Sequence, residues 1–249
     1  MHGVINVVSK SIEDINTFSS NIGPNRYKNF KLSIGDSKNW RINSLFSSDG
    51  GFRKESGYNQ QKFHLKNKFI FYNADTVFNL RLTNLNQETA GYISGKEIYK
   101  DKTESEKNLN PEAYRDAYSL KLNLKFLWSP NDKTISFIPY FRKTKMEFLQ
   151  HYLPGTPVEN NSHTSFGLIT SYVSKLENIK LTSGLQTEMA RVKLEEFQEF
   201  PLTTSSAFNN AVRPQGFHYN YEVDSRSVSY THLRAHETLR YLVCRLLLE

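Results

Sequence analysis

Cysteine is almost absent from the sequence. Cys244 stands alone, so no internal disulfide framework can form. No run of about 18 apolar residues occurs, which excludes a membrane-spanning helix. The N-terminus lacks the basic stretch and apolar core of a signal peptide, because a strand-like segment follows Met1 at once. If the protein is exported, its true start is expected to lie upstream. Chemistry-bearing motifs are also lacking: no glycine-rich phosphate loop, no HExxH, no GxSxG and no paired-cysteine metal site. Glu195 and Glu196 are adjacent, which points their side chains apart instead of onto one substrate. No catalytic residue, metal ligand or cofactor is therefore nominated, and an enzyme reading has no constellation to rest on.

Aliphatic residues are sparse too, with 38% hydrophobic residues overall and a mean hydropathy of −0.59. Aromatics are plentiful, with 17 Phe and 14 Tyr. That balance suits a wall whose side chains alternate between a lipid face and a wet face. The net charge of +7 is spread along the chain without a basic helix or zinc-finger spacing, which disfavours a nucleic-acid partner.

Alternating residues separated by turn chemistry predict strands near 14–22, 26–34, 39–47, 59–72, 76–88, 115–128, 134–148, 164–175, 179–194 and from 218 onward. The pattern is clearest in 115–128. There Tyr118, Leu120, Leu122, Leu124 and Phe126 share one face, and Ser119, Lys121, Asn123 and Lys125 take the other. Phe63, Leu65, Phe69 and Phe71 oppose Lys62, His64, Lys66 and Lys68 in the same way. Pro139 would be tolerated only at a weakened point of its ladder.

Short turns are expected at 35–38, 73–75, 129–133 and 176–178, and long connections near 48–58, 89–114, 149–163 and 195–217, with a brief first hairpin at 23–25. Short and long alternate, so the tight turns collect at one end and the long loops at the other, as in outer-membrane barrels. Trp40, Tyr72, Trp128 and Tyr172 all fall next to short turns, the placement of an interfacial aromatic girdle. His64, His151, His163 and His218 read as barrel-face or loop residues before ligands. In the 89–114 loop, Lys96, Lys100, Lys102 and Lys107 balance Glu97, Asp101, Glu104 and Glu106, as in a solvated surface loop or one that helps capture a ligand.

From Val228 the strand-like character gives way to helical periodicity. One reading is an amphipathic C-terminal helix. Val228–Glu249 also resembles the unbroken translation of a transposase-type sequencing adapter, with a variable index falling between Thr238 and Tyr241. On that reading the tail, including His232, His236 and Cys244, is foreign and the product truncated. Removing three Arg and two Glu lowers the net charge from +7 by 3 − 2 = 1, to +6.

The opening residues His2-Gly3-Val4-Ile5-Asn6-Val7-Val8-Ser9-Lys10 resemble the closing strand of the plug domain in TonB-dependent receptors. Asp49-Gly50-Gly51-Phe52-Arg53, followed by Ser56-Gly57-Tyr58, is similar to the DGxR-x-x-SG stretch of that family before an early barrel strand. Asn110 to Asp116 and Met146 to Gly155 also look familiar from this group. The resemblance covers residues 1 to about 226 and is most specific in the first 60 or so.

It implies an all-β, antiparallel up-and-down transmembrane β-barrel, incomplete at about nine to ten of about 22 strands. The implied organisation is plug end at 1–10, barrel at 11–227 and foreign tail at 228–249. The implied function is active uptake of a scarce nutrient across the outer membrane of a Gram-negative bacterium, of the ferric siderophore, haem or cobalamin class. Its partners would be outer-membrane lipid, the nutrient, and the TonB system through an N-terminal part that is not here. Which residues touch the ligand is left open. A soluble secreted β-rich binding module is the alternative, as is another outer-membrane barrel such as a porin or a barrel hydrolase. Open edges at 14–22 and 218–226 would make the isolated piece prone to aggregate instead of inserting stably.

Overall fold

The computed structural model describes residues 11–149, 154–176 and 179–237. Ten antiparallel strands form one sheet in strict chain order. They are β1 (Thr17–Ile22), β2 (Lys28–Gly35), β3 (Trp40–Asp49), β4 (Tyr58–Phe71), β5 (Ala74–Glu88), β6 (Tyr114–Trp128), β7 (Lys133–Leu149), β8 (Val158–Leu176), β9 (Ile179–Gln198) and β10 (Gly216–Glu237). Each pairs only with its sequence neighbours. The strands lengthen from 6 residues in β1 to 22 in β10, so the rim bearing the long connections climbs like a stair.

The turns account for this order. Between β2 and β3, the Asp36 carboxylate accepts the backbone N–H groups of Lys38, Asn39 and Trp40 at 2.9, 2.7 and 3.0 Å, and so reverses the chain on one side chain. Tyr72 and Asn73, both at positive φ, turn β4 into β5. At the opposite end, residues 89–113 carry a 3₁₀ turn at Ile98–Lys100 and helix α1 (Lys102–Ser105), and residues 199–215 carry helix α2 (Ala207–Val212).

Directly opposed residues of an antiparallel ladder share a face, and register assigns every strand. Leu122 of β6 faces Leu80 of β5 and Phe141 of β7; Leu80 in turn faces Leu65 of β4, which faces Ile42 of β3. This apolar face has no second layer against it. Phe69, Phe71, Phe137, Phe166 and Met189 are all exposed. Apart from glycines, the wholly shielded apolar residues among those described are Ile12, Ala74, Ala113 and Pro157. A dry interior, which a soluble sandwich requires, is not built from these residues. Trp40 and Trp128 open and close their strands on this face at the short-turn end. Trp128 Nε1 donates to the Tyr72 carbonyl at 3.1 Å, and Phe71, Phe126 and Phe137 join the same aromatic belt.

Several boundaries differ from expectation. β1 starts at Thr17, not near residue 14, because Arg41 takes the carbonyls of Ile12, Asp14 and Ile15 that a strand would have used. β8 and β9 run further toward the long-loop end than alternation implied. Glu195 and Glu196 therefore lie in β9, on opposite faces, and not in a loop. Residues 228–237 do not form a helix; their backbone continues β10 along β9, with a register shift between Thr231 and Arg234. Pro139 lies where the β6–β7 ladder skips two pairs, between Asn123↔Tyr140 and Phe126↔Phe137. The GVINV stretch, His151, residues 177–178 of the last short turn and Cys244 lie outside the described residues.

Candidate functional site

The face opposite the apolar one is polar, and register aligns its charges in rows that are invisible along any single strand. Asn43, His64, Arg81, Lys121, Arg142 and Ser165 stand directly opposite one another across β3 to β8. At a strand spacing of roughly 4.8 Å, the four basic residues His64 to Arg142 cover about 15 Å at one height. The next row toward the short turns runs Arg41, Lys66, Asn79, Asn123, Tyr140, Gly167 and Glu188.

The two rows are cross-linked. Asn79 Nδ2 donates to Asn123 Oδ1 at 3.1 Å, and His64 Nε2 lies 3.4 Å from Asn79 Oδ1. Glu188 collects the far end: Tyr140 donates its hydroxyl at 2.6 Å, Arg142 forms an ion pair, and His163 Nε2 stands 3.9 Å away. Arg142 also donates to Ser165 Oγ at 3.2 Å and lies over the Tyr140 ring. Tyr140 can lean across β8 only because residue 167 is glycine. A Cβ there would stand 2.3 Å from the Tyr140 ring carbon and 2.7 Å from the Thr187 carbonyl.

A second cluster ties a long loop to the rim. Glu196, 1% exposed, pairs with Arg213 of the 199–215 loop and with His218 Nδ1 of β10 at 2.6 Å. Pro214 O takes the other ring nitrogen of His218 at 2.9 Å, and Tyr219 donates to Glu159 at 2.8 Å. His64, His163 and His218 are thus strand residues held by neighbours. No group of three metal-ligating side chains occurs among the described residues.

The DGGFR–SG stretch forms a braced loop. Asp49 Oδ1 caps the Gly51 N–H at 2.7 Å, Gly51 turns at φ 81°, and Gly57 N donates to Glu88 Oε2 at 3.0 Å. Arg53 donates to the Gly91 carbonyl, and Asn108 Nδ2 reaches the carbonyls of Lys54 and Glu55. The 89–113 connection therefore leans on the 50–57 connection instead of standing free. Its charges pair locally, Lys100 with Glu97 at 2.7 Å and Lys107 with Glu104.

Sequence reasoning found the faces but not the basic row. Lys62, Lys66 and Lys68 recur along β4, but the alignment of Arg81, Lys121 and Arg142 exists only once the register is known.

No family model and no curated protein matches this sequence. Among solved structures, the chain is similar to the ferric citrate transporter FecA in its unliganded form. The TM-score is 0.55 at 13% identity, over 86% of this chain and 33% of that one. The chain thus spans about a third of the length of the transporter it matches, and shares with it the fold of an antiparallel β-barrel wall.

Proposed function

We propose that this chain is the early barrel wall of a TonB-dependent outer-membrane receptor for active uptake of a scarce nutrient. Residues 11–227 supply the wall, 1–10 the end of a plug, and Val228–Glu249 are foreign. The observation that carries the reading is the exposed apolar band. On β6 it runs from Leu120 to Trp128, about nine residues, the length at which a tilted strand crosses hydrocarbon. Toward the long-loop end the same face turns polar, with Asn84 and Asn86 on β5 and Lys143, Lys145 and Glu147 on β7. A greasy belt bounded by aromatics at one edge and charge at the other fits a lipid-facing wall and not a protein core. The DGGFR–SG loop and the likeness to a ferric citrate transporter favour a receptor over a porin or a barrel hydrolase. A ferric chelate, haem or a cobalamin is the expected cargo class.

Pairing of 228–237 with β9 is compatible with a foreign tail. The free edge of β9 offers backbone donors and acceptors to whatever sequence follows, and such pairing reads no side chains.

The test is fractionation of the producing cells, followed by uptake assays in a strain lacking the gene. The receptor is expected as a heat-modifiable outer-membrane band whose loss abolishes energy-dependent uptake of one nutrient. Recovery of residues 1–227 as a detergent-independent, water-soluble monomer would overturn the reading.

A further inference from the structure

A polar row closes the apolar face at its long-loop end. Lys28, Ser48, Asn59, Asn86 and Asp116 stand directly opposite one another across β2 to β6. They lie four residues beyond the Leu82–Leu120 pair, about 14 Å along the strands. Among the described residues, the side chains of Lys28, Asn59 and Asp116 make no hydrogen bond or ion pair. Asn86 Oδ1 accepts from Asn84 at 3.1 Å, and the N–H groups of its own amide have no acceptor there. Over this row opens a cavity of about 440 Å³, the size of a small-molecule site. Its walls are fixed. The Gly50 N–H donates to the Asn25 carbonyl at 2.7 Å and joins the 50–57 loop to the β1–β2 turn. In that turn Asn25 and Arg26 both have positive φ, 55° and 60°. An arginine enters that region only at a cost. Here the strain brings its guanidinium over Gly50, where a Cβ would stand 2.7 Å from Arg26 Nε.

Two properties of the lining select the ligand. Arg26 and Lys28 meet Asp49, Glu88 and Asp116, so the charges nearly cancel and favour neither an anion nor a cation. No aliphatic side chain lines the cavity, whose surface is made of amides, carboxylates, hydroxyls and the rings of Tyr58 and Tyr114. A ligand with an apolar body would strand those groups without partners. A sugar would not, because most of its carbons bear a hydroxyl that both donates and accepts, as amides do. Its C–H face can also lie on a tyrosine ring.

We propose that this cavity binds a neutral saccharide, with Asn59 and Asn86 supplying the hydrogen bonds and Arg26 closing one side. The inference goes beyond uptake. Under the receptor reading the cavity opens on the outside of the wall, above the lipid, so a sugar there is held and not transported. The sugar is either free or the headgroup of a glycolipid in the surrounding leaflet.

The experiment is saturation-transfer NMR titration of the full-length protein in a neutral detergent without a sugar headgroup. Glucose, galactose, mannose, N-acetylglucosamine and maltotriose are the free probes. A phosphate-free oligosaccharide cleaved from the outer-membrane glycolipid of the producing cells is the other. At least one is expected to bind saturably, and a preference for the cleaved oligosaccharide over the free sugars identifies the glycolipid as the source. A neutral ligand should bind equally well at low and high salt. The double variant Asn59→Ala/Asn86→Ala should weaken binding at least about tenfold. Asn160→Ala/Asn220→Ala removes the same groups from β8 and β10 at the same height, outside the cavity, and should leave binding intact. Circular dichroism verifies that each variant retains its sheet. Absence of saturable binding by every probe, loss of binding at high salt, or equal weakening by both double variants would overturn the proposal. Failure of the receptor reading is distinguishable, because it shows as a protein that needs no detergent, whether or not it binds sugar.

Discussion

The two ends of the sheet obey one geometry in two solvents. Near the short turns, strands carry mostly Leu, Phe and Ile on one face and Lys, Arg and Asn interspersed with Ile70, Val77, Leu127 and Ile138 on the other. Near the long connections the same alternation persists in backbone terms, but the formerly apolar face carries Lys143, Lys145, Arg191, Lys193, Glu222 and Asp224. There Arg191 lies 2.9 Å from Asp224 and 3.3 Å from Glu222, an exposed cross-strand cluster. The difference teaches that strand length and membrane thickness are separate quantities here. Strands of about 20 residues reach far beyond the stretch of about nine that lipid would cover.

A charge placed at mid-band breaks the contrast most severely. Leu122→Arg, between Leu80 and Phe141, should cost about 2–4 kcal/mol in lipid, whereas Asn160→Arg on the same face above the band, opposite Glu147, should cost about 0–1. Urea titration of the full-length receptor in liposomes compares the two, and equal midpoint shifts would erase the distinction. Next, Gly167→Ala forces Tyr140 off β8 and out of its bond to Glu188. Overpacking of that kind costs about 1–3 kcal/mol, and the loss should shrink when Tyr140→Phe is introduced first, since part of the clash is with the hydroxyl.

A smaller effect belongs to the short-turn end. The Trp40 N–H above all, with those of Lys38 and Asn39, holds Asp36 at a pKa of about 2, below its usual 3.8. A depressed folded-state pKa stabilises the turn above about pH 4, and the contribution is lost as pH falls through about 2. Asp36→Asn should flatten that part of an acid titration followed by tryptophan fluorescence. The smallest change is expected from Arg191→Ala. Its partners are solvated, so unfolding midpoints should hardly move, and less still at high salt.

Most of the architecture was legible because period-two alternation and turn residues coincide wherever one face meets an apolar medium. It failed where that medium ends. Residues 158–163 and 195–198 are strand, yet Asn160, Asn161, Ser162 and His163 are polar on both faces and offer no alternation to read. The first residues of the β1 region failed for another reason, a side chain thirty or so positions away competing for their carbonyls. Candidate-site chemistry was the least legible, since Arg81, Lys121 and Arg142 become neighbours only through pairing. Helical periodicity after Val228 described the sequence correctly and its backbone through 237 wrongly, as β9 offers an edge whatever follows it.

Arg41 has a mechanical consequence. Its guanidinium, fully shielded, is bonded to the carbonyls of Ile12, Asp14 and Ile15 and to Ser33 Oγ at 2.8 Å, with no carboxylate in the set. The chain entering the wall is therefore moored by Arg41, and next by the Asn16 amide on the Gly35 backbone, before any ladder begins. Tension arriving from residues ahead of Ile12 would meet this knot first, and β1 would feel only what slips past it.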